Sequence, residues 1–96
     1  MDILIKTEKL KNKNLFTITP IAPEHIGKEY EIILHVLLNG TNYKPVALFR
    51  GQLEENTVLT YKSEPISHFS AFGNTFCGFE VHMNIGTEEL KKKIIT

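Results

Sequence analysis

Ninety-six residues, 42% of them apolar and 23% charged, make one domain (1–96), with enough apolar side chains for a core and too many for a disordered chain. Eleven basic residues balance eleven acidic ones, so no global field draws the molecule to nucleic acid or to a membrane surface, and no stretch approaches the roughly 18 apolar residues of a spanning helix. One cysteine, Cys77, excludes an internal disulfide, and the opening Met1-Asp2-Ile3 lacks the pattern of a secretion signal, so a cytoplasmic setting is expected.

In chain order, Asp2 to Thr7 reads as a strand with Ile3 and Ile5 on one face. The polar run Lys11 to Asn14 is a turn, and Leu15 to Thr19 a second strand, so the two form a hairpin. Pro20 and Pro23 then interrupt pairing. Residues 23–39 fit two templates. As a helix, Pro23 sits in the first turn and Gly40 just past the end. As a strand, Tyr30, Ile32, Leu34, Val36 and Leu38 form one apolar face. Gly27, the β-branched Ile32, Ile33 and Val36, and the hairpin chemistry of Asn39-Gly40-Thr41-Asn42 favour the strand.

Tyr43 to Arg50 is the next strand, with Pro45 requiring an edge or a strand start. Gly51 to Asn56 is a turn, Thr57 to Lys62 a strand, and Ile66 to Asn74 a loop. Phe76 to Ile85 alternates almost without a fault: Cys77, Phe79, Val81, Met83 and Ile85 on one face, Gly78, Glu80, His82 and Asn84 on the other. That pattern marks a half-buried strand and places Cys77 inside as a small hydrophobe. After Gly86, residues 87–95 read as a short helix or a last strand. Six or seven short strands with turns between them predict an all-β fold, a small antiparallel sandwich or barrel. An α+β fold with a helix at 23–39 is the alternative.

No catalytic, metal or cofactor site is expected. Cys77 and His82 are five apart on a strand, hence on opposite faces, and neither C-x-x-C nor H-x-H occurs around His25, His35, His68 or His82. Ser67 and Ser70 flank His68 without a nucleophile elbow, and Cys77 has apolar neighbours. Glu54-Glu55 and Glu88-Glu89 read as solvated turn residues. No phosphate-binding glycine loop is present. Three histidines are expected at the surface and one against the sheet.

The stretch from His68 to Phe76, with Phe79, holds four of the six phenylalanines. His68, Phe69, Phe72 and Asn74 are therefore the candidate partner-binding residues, as aromatic anchors on a loop, with Arg50 as a rim contact. A sheet edge offers a second route, β-augmentation or homodimerisation. The segment Tyr43-Lys44-Pro45-Val46-Ala47-Leu48 resembles a strand of the phage uracil-DNA glycosylase inhibitors. Those proteins are strongly acidic DNA mimics and this chain is neutral, so no residue role is carried over.

The reading is a non-enzymatic, protein-binding module of the inhibitor, immunity, accessory or assembly-subunit type. An OB-like nucleic-acid binder, with Tyr43, Phe49, Tyr61 and Phe76 stacking bases, is the first alternative. A small-ligand-binding or hydrolytic β-domain is the second. With ten of the eleven basic residues lysine and only Arg50 arginine, an AT-rich bacterial or phage genome is expected.

Overall fold

The computed structural model describes residues 1–11, 13–40, 42–69 and 73–94, the side chains of 42, 66 and 67 excepted. Its elements are β1 (Asp2–Leu10), β2 (Lys13–Ile21), a 3-10 turn (Pro23–His25), β3 (Glu29–Leu38), β4 (Asn42–Gln52), β5 (Leu59–Lys62), a single helical turn α1 (Ile66–Phe69), β6 (Phe76–Ile85) and β7 (Glu88–Ile94). They form two antiparallel sheets, of order β1-β2-β5 and β4-β3-β6-β7. This is the small sandwich that the strand pattern predicts. The segment 23–39 is a turn and a strand, not a helix, and residues 88–94 are a strand. No helix among the described residues is long and apolar enough to cross a membrane.

Three hairpins account for six of the seven strands. Their turns carry the residues that the geometry requires. Asn39 and Gly40 both adopt left-handed backbone (φ 57° and 78°) between β3 and β4, a conformation that costs glycine nothing and asparagine little. β3 is central to the larger sheet, bonded to β4 on one side and β6 on the other. Its alternate residues Tyr30, Ile32, Leu34 and Val36 are buried against Phe16 and Ile18 of β2 and Phe79, Val81, Met83 and Ile85 of β6. Burial of this apolar surface is the main favourable term in the fold.

The alternation of β6 slips once. Leu37 pairs with Gly78 and Leu38 with Phe76, which leaves Cys77 as the extra residue of a bulge. Gly78 takes φ 133°, a backbone angle that favours glycine. The slip exchanges faces: Phe76, not Cys77, packs against the core, with its ring 5.3 Å from that of Phe79. Cys77 is half-buried, so its predicted place inside the core is corrected.

A second bulge lies across β3. His35 pairs with Pro45 and Leu34 with Ala47, leaving Val46 unpaired. β4 is an edge strand, the position that Pro45 requires. At the opposite edge, Lys92 of β7 donates to the Ile3 carbonyl of β1 at 3.3 Å. Thus a lysine on the core side of an edge strand ties the two sheets together and blunts both edges.

Candidate functional site: the outer face of the four-stranded sheet

The face of β4-β3-β6-β7 turned away from the core is built by strand pairing. Glu31, Ile33, His35 and Leu37 of β3 lie beside Arg50, Leu48, Pro45 and Tyr43 of β4. On the other flank they pair with Asn84, His82, Glu80 and Gly78 of β6, which in turn meet Glu89, Lys91 and Lys93 of β7. An outer sheet face is normally polar and wet. Here it carries an aliphatic and aromatic strip on β3 and β4, a histidine cluster in the middle, and two lysines on β7.

His35 is the centre of the cluster and is only 8% exposed. Its ring centroid lies 4.6 Å from that of Tyr43, edge-on, and 4.2 Å from that of His82. Tyr43 and His82 are themselves 5.6 Å apart, so the three rings form a closed triangle over the sheet. Neither ring nitrogen of His35 has a hydrogen-bond partner among the described residues. Burial, and the neighbouring His82, lower its pKa below the usual imidazole value, while Glu80 opposes that shift. His35 is therefore neutral at pH 7. His82 donates a hydrogen bond from Nε2 to the Glu80 carboxylate. That bond lowers the Glu80 pKa, with help from the charge of His82, Lys93 and Lys91, and desolvation works against it.

The two bulges lie on either side of His35 and Leu37. A bulge raises local twist and re-aims the side chains beside it. The cluster lies where both neighbours of β3 are bulged. Leu48 and Tyr43 stay 52% and 49% exposed, so this apolar strip meets solvent. Next to it lies a shallow open depression lined by Glu31, Arg50, Gly51, Asn84 and Gly86. A Cβ at Gly51 would meet Tyr30 Oη at 3.0 Å, so the tyrosine side chain would have to give by a few tenths of an ångström to admit one.

No protein-family model matches the chain, and neither a curated protein nor a solved structure matches it. The geometry alone carries the functional reading.

The residues singled out in the sequence are dispersed. Phe69 is half-buried, packed against the core and stacked on Phe76 at 5.8 Å, with its edge on Phe79 at 6.0 Å. It closes one end of the sandwich instead of projecting as an anchor. His68 is exposed and 3.4 Å from Glu64. Asn74 accepts a hydrogen bond from Asn39 at 3.0 Å, a contact that ties the β3–β4 turn to the start of β6. Phe72, with Ser70 and Ala71, lies outside the described residues. Arg50 is on the outer face, 69% exposed and paired with Glu31 at 2.8 Å. Of the aromatics proposed to stack bases, Phe49, Tyr61 and Phe76 pack against the core, and only Tyr43 faces outward.

Two histidines, His25 and His35, are buried, where the sequence led us to expect one. His35 lies on the face of β3 opposite Tyr30, Ile32, Leu34 and Val36. Its burial comes from Tyr43 and His82, which only strand pairing brings beside it.

Proposed function

We propose that this protein is a non-enzymatic, protein-binding module whose contact surface is the outer face of the four-stranded sheet. One observation supports this most: an apolar strip, Leu48, Ile33 and Tyr43, runs beside a desolvated histidine cluster on a face that remains open to solvent. Aromatic and aliphatic groups on a rigid sheet, with charges at the margin, are what a protein interface uses. Lys91 and Lys93 with Glu80 and Glu89 on one flank, and the Arg50–Glu31 pair on the other, give the apolar strip a mixed-charge rim.

The face is favoured over the edges at β4, β7 and β1. Pro45 removes a donor from β4, and Lys92 guards β7 and β1. The face is also favoured over base stacking, because the aromatics needed for that do not share it. The lone free thiol suits a reducing compartment such as the cytoplasm.

The test is comparative capture from cells of the native host. Leu48→Asp places a charge in the strip, and Val58→Asp does the same at another site that is 55% exposed. The reading requires a partner retained by the parent and by Val58→Asp and lost with Leu48→Asp. Equal retention by both variants would remove it. A second copy of this chain is an alternative occupant, and concentration-dependent sedimentation abolished by Leu48→Asp would reveal it.

A further inference from the structure

A second cluster lies away from that face, where the β2–β3 connection meets the start of β7. Pro23 opens the 3-10 turn, and the turn is pinned by His25 N–H donating to the Ala22 carbonyl at 2.8 Å and Gly27 N–H to the Leu53 carbonyl at 2.8 Å. Gly27 takes φ 91°, which lets the chain leave the turn and enter β3. The result holds the His25 ring under cover, 7% exposed, while Glu24 of the same turn and Glu88 of β7 stand at the surface.

His25 Nε2 lies 3.1 Å from Glu88 Oε2 and 3.7 Å from Glu24 Oε1. The three ligand atoms all fall within 4.8 Å of one another. Yet Nε2 is buried without a hydrogen bond of acceptable geometry to any described residue. A buried, unpaired ring nitrogen is costly unless something satisfies it. Ligand distances of about 2.1 Å in a tetrahedral shell put neighbouring donors about 3.4 Å apart. The two measured separations bracket that value.

We propose that His25, Glu24 and Glu88 form a binding site for a divalent transition-metal ion of the Zn2+ class. One imidazole and two carboxylates suit such an ion. Three protein ligands leave a fourth position open at the surface, for water or for a group from outside. The ion would also join the β2–β3 turn to β7, so occupancy should raise thermal stability.

Two cations now occupy the neighbourhood. The Lys28 ammonium donates to His25 Nδ1 at 3.2 Å, and the α-amino group of Met1 lies 3.4 Å from Glu24 Oε1. With Nδ1 accepting from Lys28, the neutral ring carries its proton on Nε2. Metal binding requires the other tautomer. The ring proton moves to Nδ1, the Nε2 lone pair goes to the ion, and the lysine swings into solvent. Lys28 is thus a competitor of the metal.

The test is calorimetric titration of the untagged, chelator-treated chain with Zn2+, repeated with Co2+ to read the visible spectrum of the bound ion. The expected result is saturable one-to-one binding, a Co2+ spectrum of low coordination number, and a rise in melting temperature. Glu88→Gln, a half-exposed change that spares the core, should weaken binding by more than about tenfold, the loss that even outer partners of a ligand produce. Lys28→Met should bind more tightly than the parent. Absence of saturable binding at millimolar ion, or binding indifferent to Glu88→Gln, would overturn the proposal.

Discussion

His35 and His82 stand ring against ring, 4.2 Å between centroids, on the solvent side of a sheet whose other side is the core. Two titratable rings so close cannot both be charged cheaply. His82 takes the carboxylate of Glu80, and His35 is left buried and neutral. Tyr43 completes the enclosure from the neighbouring strand.

A pH dependence follows. His35 has a lowered pKa in the folded state, through burial first and His82 second, with Glu80 opposing. A group of this kind binds more protons unfolded than folded, so its contribution is complete above the unfolded value of about 6.5 and falls away at lower pH. Urea midpoints of the parent and of His35→Phe should converge above pH 7 in their slope with pH. Below about 6.5 the parent should lose stability faster than the variant. Parallel curves from pH 8 to 5 would show that His35 is not the desolvated group described.

The bulge at Cys77 makes a prediction about which side chain is core. Phe76→Ala removes a ring packed on Phe69 and Phe79 and should cost about 2–4 kcal/mol, whereas Cys77→Ser should cost less than about 1 kcal/mol. Gly78→Ala forces a side chain onto φ 133° and should cost about 1–2 kcal/mol. Denaturant unfolding gives all three. The reverse order for Phe76 and Cys77 would restore regular alternation and remove the bulge.

Most of the architecture was legible from local patterns. Phe79, Val81, Met83 and Ile85 do line one buried face, and the β-branched run in β3 outweighed the helical spacing of residues 23–39. Pro45 pointed correctly to an edge. The slip at Cys77 was not read, although a glycine inside a strand, Gly78, is the usual sign of a bulge. The phenylalanines of residues 69–79 looked like an exposed loop because composition cannot separate an anchor from a plug; Phe69 proves to pack on Phe76 and Phe79. The two polar clusters were beyond reach for another reason. His25 meets Glu88, and His35 meets Tyr43 and His82, only after strands distant in sequence have paired. Spacing rules for metal or catalytic motifs see neighbours along the chain, and these residues are neighbours across it.

Lys92 tests the guarding of the edges. Lys92→Ile removes an exposed charge at the sandwich margin and frees the Ile3 carbonyl that the ammonium now satisfies. The monomer should unfold no more easily, yet self-associate at lower concentration, because two edges lose their charge. Light scattering against concentration measures this. Unchanged association would mean that the lysine is incidental to edge protection.

The central claim is that the outer face around Leu48 and Tyr43 receives a partner protein, and photo-crosslinking tests it most directly. A benzophenone amino acid placed at position 48, and in a second sample at position 58, is irradiated in native-host cells. The account predicts one discrete adduct from position 48, lost when Tyr43→Ser is added, and none of the same mass from position 58. The same adduct from position 58, or none from position 48 while the partner is still captured, would contradict it.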